Sequence, residues 1–117
     1  MSIIPLLLRF VEFVLLPSFE RTAEGVLSES DIRELECTLL ENPREGPVMR
    51  GTGGVRKVRA ATEGRGKRGS ARVVYLYVEA REKIYFLLCF PKNEQANLTP
   101  EQTRRIRILV AQLEAEE

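Results

Sequence analysis

The chain has 117 residues, 44% of them hydrophobic and 30% charged, with 18 basic and 17 acidic side chains and a net charge of +1. That suits one globular domain, residues 1–117, large enough to build a single core without staples. There is no histidine and there are only two cysteines, which removes the commonest general acid–base, the commonest metal ligand and an all-cysteine zinc site.

The apolar run at residues 3–16 raises the membrane question, but it carries Pro5, Arg9 and Glu12. It is also shorter than the ~20 residues a spanning helix needs, and no basic leader precedes it. Residues 9–16, RFVEFVLL, predict a first strand stopped by Pro17, with residues 1–8 as an optional extension. Residues 18–24 predict a short helix or turn leading to Gly25. Ser28, with Asp31 three positions on, reads as a capped helix start, and Ile32, Leu35, Leu39 and Leu40 form an apolar stripe behind it. Asn42-Pro43 ends that helix.

Residues 55–61, 71–78 and 83–90 predict three more strands. The last two are continuous apolar runs, as in strands covered on both faces. The short connection at Arg81-Glu82 implies an antiparallel hairpin. Thr99, Pro100 and Gln102 form a second helix start, with a capping box and proline at the first helical position. Ile106, Leu109, Val110 and Leu113 are its apolar stripe, and Ile108 falls on the exposed side. This order predicts an α+β fold: a small antiparallel β-sheet of about four strands, packed with N-terminal helices and a C-terminal helix on one side. Cys37 and Cys89 are expected to be small buried hydrophobes rather than halves of a disulfide, which favours a cytoplasmic location.

The segment at residues 51–72, GTGGVRKVRAATEGRGKRGSAR, holds seven basic residues against one acid, a charge of +6, so the rest of the chain sums to −5. A basic, glycine-rich segment in an otherwise acidic chain is the electrostatic footprint of a phosphate site, above all for nucleic acid. Lys57 and Arg59, two apart on a strand, project from one face, and Arg56 from the other. Arg65, Lys67 and Arg68 crowd the loop that follows. The spelling GRGKRG matches a dinucleotide-binding pattern, but a strand follows it where that site needs a helix. Arg72 opens an apolar strand, where a guanidinium is costly to bury without an anionic partner. That partner could be a structural acid, such as Glu79 or Glu94, or a phosphate.

Taken together, Gly51-Thr-Gly-Gly-Val-Arg-Lys-Val-Arg, Gly64-Arg-Gly-Lys-Arg-Gly-Ser-Ala-Arg-Val-Val-Tyr, Lys92-Asn-Glu and Leu98-Thr-Pro-Glu resemble the RelE/ParE toxin superfamily, in its HigB-type branch. The resemblance covers residues 10–113. It implies a RelE-like fold and the toxin of a bacterial type II toxin–antitoxin system. It implies a metal-independent, cofactor-free endoribonuclease that cuts mRNA on the ribosome. The partners implied are a cognate HigA-type helix-turn-helix antitoxin, mRNA and the ribosome, with no membrane. Laid on this chain, the family pattern makes Lys57, Arg59, Arg72 and Lys92 catalytic; Arg56, Arg65, Lys67, Arg68 and Asn93, nearby in the chain, are the expected RNA contacts. The tyrosine that RelE places beyond the last strand aligns near Leu98, so this chain departs from the pattern there. Two other functions on the same features are a ParE-like gyrase poison and a non-catalytic RNA- or ribosome-binding module.

The chemistry open to such residues is transesterification, in which the ribose 2′-OH attacks the adjacent phosphate and expels the 5′-oxygen. Arg72 suits the growing phosphorane charge, because guanidinium binds phosphate oxygens bidentately. Lys57 is a candidate base, and Arg59 and Lys92 would clamp phosphate or assist the leaving group.

Overall fold

The computed structural model describes residues 10–62, 69–91 and 97–116. Strand β1 (Glu12–Leu15) leads into helix α1 (Pro17–Ala23) and helix α2 (Glu29–Glu41). Strands β2 (Arg56–Thr62), β3 (Gly69–Val78) and β4 (Lys83–Pro91) follow, then helix α3 (Pro100–Ala115). The expected extension at residues 1–8 lies outside the described residues. No helix among the described residues is long and apolar enough to cross a membrane.

The sequence's start signals act as read. Ser28 Oγ accepts from Asp31 N while Asp31 accepts from Ser28 N, closing the capping box of α2. Thr99 and Gln102 do the same for α3, behind Pro100. Asn42 caps the end of α2. Leu35 and Leu39 are buried, whereas Leu40 is exposed.

The sheet has four strands in the order β1-β4-β3-β2. β2–β3 and β3–β4 are antiparallel as expected, but β1 lies parallel to β4, so the sheet is mixed. A parallel neighbour needs a long crossover, and everything between β1 and β4 supplies one. β4 carries a bulge that leaves Leu87 outside the ladder, and α1 takes up backbone groups there. Ser18 Oγ donates to Leu87 O at 2.6 Å, and Cys89 N donates to Thr22 Oγ1 at 2.9 Å.

The helices do not lie on one side. α1 and α2 press Phe19, Leu35 and Leu39 onto Val58, Val73, Tyr75, Ile84 and Phe86. α3 presses Ile106, Val110 and Leu113 onto the opposite face, over Val74, Leu76, Tyr85 and Leu87. The continuous apolar runs of β3 and β4 are thereby covered twice. Arg81 holds the end of α3, donating to Leu113 O at 2.8 Å and Glu114 O at 2.6 Å.

Cys89 is buried as expected, but Cys37 is exposed, on the outer side of α2. Burial pushes the Cys89 thiol up to about 11 and also raises the Tyr75 phenol. Both groups ionise at lower pH in the unfolded chain than in the folded one. Stability should therefore hold below about pH 9 and decline as pH rises toward 11. Melting temperatures taken from pH 8 up to pH 11, where Cys89's raised pKa of about 11 lies, should fall, and Cys89→Ala should flatten part of the decline.

Candidate active site

The β2–β3 ladder sets Lys57 opposite Val74 and Arg59 opposite Arg72. Directly opposed residues point to one face of a sheet, and successive residues alternate. Val58, Ala60, Ala71 and Val73 occupy the face under α1 and α2. Lys57, Arg59 and Arg72 therefore share the other face, beside the α3 core.

Arg56 goes to the first face. Its Nη1 donates to Gly46 O at 2.7 Å and Arg44 O at 3.4 Å, clasping the loop after α2. The structure thus brings Lys57, Arg59 and Arg72 together and holds Arg56 apart. Lys92, Asn93, Arg65, Lys67 and Arg68 lie outside the described residues. The chain leaves the sheet toward them at Thr62, which pairs with Gly69, and at Pro91, which pairs with Ala71.

Arg72 sits between Arg59 on one neighbouring strand and Phe90 on the other. It is half-buried, and its Nη1 is buried without a hydrogen-bond partner among the described residues. Glu79, one of the acids it could have paired with, is taken by Arg44 at 2.6 Å. Arg59 is exposed, and it also lines a recess of about 210 Å³ against α2 that includes Asp31 and Glu34.

Lys57 Nζ donates to Asn97 Oδ1 at 3.3 Å. It lines a cleft of about 370 Å³ between the loop at residues 47–52 and the start of α3, along with Met49, Arg50, Leu98 and Thr103. The loop is stitched to β2. Met49 N donates to Val55 O at 2.7 Å, and Lys57 N donates to Pro47 O at 3.1 Å. The buried Thr52 hydroxyl donates to Met49 O at 2.7 Å and accepts from Val55 N at 3.0 Å. Gly53, at φ 87°, turns the loop where a Cβ would come within 3.3 Å of Val110. The glycines here serve the backbone of the cleft.

Sequence reasoning passed over Ser70. It lies two residues before Arg72 on the same face, buried at 6% exposure, with its Oγ unpartnered among the described residues. The available signal was a hydroxyl in a strand whose neighbours are otherwise apolar apart from Arg72. Asn97, which reaches Lys57 across the cleft, was likewise given no place in the site.

Residues 19–117 match the family model described as the RelE toxin of the RelE / RelB toxin-antitoxin system. The chain belongs to the RelE toxin family. A solved structure of the E. coli toxin RelE, an arginine-to-alanine double mutant in the free state, superposes with a TM-score of 0.55 at 19% identity. The match covers 82% of this chain and 97% of that one. At that identity the likeness is one of fold: the RelE arrangement of three helices and a mixed four-stranded sheet.

On this RelE fold, Gly46 sets how closely the loop after α2 approaches β2. Its N donates to the Tyr75 hydroxyl at 3.2 Å, and a Cβ there would stand 2.3 Å from Lys57 O. Gly46→Ala must push the loop off β2 and loosen the Arg56 clasp. Overpacking of this kind costs about 1–3 kcal/mol, which a thermal melt should register as a lower melting temperature.

Proposed function

We propose that this RelE-family toxin is a metal-independent endoribonuclease that cleaves mRNA, acting on the translating ribosome. The carrying observation is the Nη1 of Arg72, buried and without a hydrogen-bond partner among the described residues, on a side chain set directly opposite Arg59. Like charges facing each other across a ladder destabilise it, and a bound phosphate would turn that cost into a gain. In the proposed reaction the 2′-oxygen bonds to phosphorus, the bond to the 5′-oxygen breaks, and charge grows on the non-bridging oxygens. Arg72 would meet that charge with a guanidinium fixed on a central strand. Arg59 and Lys57 would hold the neighbouring backbone, with Lys57 the candidate base. Lys92 would assist the leaving group, and Arg65, Lys67, Arg68 and Asn93 would contact the flanking RNA.

The test is an in vitro translation reaction read by primer extension. The wild-type protein should give cuts within translated message. Arg72→Ala should fold and lose about 10²–10³ in cleavage rate. Arg72→Lys should rescue poorly, because an ammonium keeps the charge and loses the fork. Cleavage preserved in a folded Arg72→Ala protein would overturn the assignment. Arrest without cuts would mean a binding module, and supercoiling defects would mean a gyrase poison.

The finer placement in the HigB-type branch, with a HigA-type helix-turn-helix antitoxin, belongs to the same proposal. It is supported by the motif strings around Lys57, Arg72 and Leu98. Co-expression with the adjacent reading frame should restore growth to cells making this toxin. Failure of both neighbours to do so would count against the operon assignment.

A further inference from the structure

Among the described residues, Arg72 Nη1 and Ser70 Oγ are two of the buried side-chain atoms without a hydrogen-bond partner. They belong to residues two apart on one strand, and so to one face. Ser70 is only 6% exposed. A buried hydroxyl left unpaired lowers stability, because its lost hydration is not replaced. Among the described residues none bonds it. The residue opposite on β2 is Ala61, and the next pair along, Ala60 with Ala71, turns its side chains to the other face. An alanine at position 70 would suit these neighbours without the cost.

We infer that Ser70 is a further catalytic residue, whose Oγ–H donates to a non-bridging oxygen of the same scissile phosphate that Arg72 holds. This rests on the nuclease reading above. Ser70 forms no bond to phosphorus and keeps its proton. The 2′-OH loses its own proton as its oxygen bonds to phosphorus, and the departing 5′-oxygen takes one up. The Ser70 hydroxyl and the Arg72 guanidinium would then act as two arms of one oxyanion site, the first neutral and short, the second charged and forked. Such donors act where charge develops, and a short side chain on a strand has few rotamers to fix.

A structural hydroxyl and a catalytic one predict opposite signs. Ser70→Ala should leave the melting temperature unchanged or raise it, because the unpaired polar atom is gone. It should lower single-turnover cleavage by ~10²-fold, with affinity for non-cleavable 2′-O-methyl RNA little changed. Ser70→Thr, which keeps a hydroxyl on a strand-compatible side chain, should recover more activity than Ser70→Ala. Cleavage by Ser70→Ala at the wild-type rate would overturn the inference, as would a fall in its melting temperature, which would assign the hydroxyl to the fold. Arg72→Ala separates the two claims. If it is inactive while Ser70→Ala is fully active, only the role of Ser70 falls. If the wild-type protein makes no cuts, both fall.

Discussion

Arg59 and Arg72 face each other across the β2–β3 ladder, and the arrangement is enforced from behind. On the opposite face, the pairs Val58–Val73 and Ala60–Ala71 are buried beneath α1 and α2. A slip of one residue in the β2 register would carry Arg59 into that core and Val58 out of it. The apolar packing on one face thus holds two like charges in opposition on the other. That opposition is affordable on the fold's own terms only because core burial outweighs a partly solvated repulsion.

The rest of the chain fixes where this pair stands. β3 is central and paired on both sides at Arg72, so the backbone of Arg72 has little freedom, and Ser70, just beyond the last β4 pair, is held by its pairing with Ala61 of β2. β4 is held in turn by α1, whose Ser18 and Thr22 bond backbone groups around the bulge. α3 is tied at its end by Arg81 and at its middle by Arg107, which donates to Gly51 O at 3.0 Å. That second tie joins α3 to the cleft loop, so the wall carrying Asn97 and the wall carrying Met49 are braced against each other. A cleft braced this way can hold the Lys57 side chain of β2 in one place, as a site that positions phosphate requires.

Much of this was legible in the residues because the signals were local. Capping boxes at Ser28 and Thr99 announce helices whatever surrounds them. The alternation of Lys57, Val58 and Arg59 announces which side chains share a face. What stayed hidden was non-local. Residues 12–15 say nothing about whether their neighbour runs parallel. The double cover of β3 and β4 was written in their unbroken apolar runs, yet one apolar stripe on each helix does not say which face it takes. Cys37 misled because residue type is a weak guide to burial on an amphipathic helix. Arg56 was grouped with its basic neighbours, although a carbonyl-lined loop on the far face had already claimed it. Ser70 was invisible because a serine's meaning depends on whether anything bonds its hydroxyl.

The uneven spread of charge adds a last step. α2 carries five acids, Glu29, Asp31, Glu34, Glu36 and Glu41, against the single base Arg33. A polyanion would be repelled from that side and drawn to the face of Lys57, Arg59 and Arg72, so the field would orient it before contact. Arg59 stands at the boundary, exposed to solvent beside the recess lined by Asp31 and Glu34, so water already answers its charge. Arg72 has no such answer at Nη1. An interaction made only when charge appears on a ligand lowers a barrier, whereas one already satisfied in the free protein must first be given up. On the proposed function, the two opposed arginines are therefore unequal: Arg59 would serve mainly to draw and seat the backbone, and Arg72 to act on the transition state.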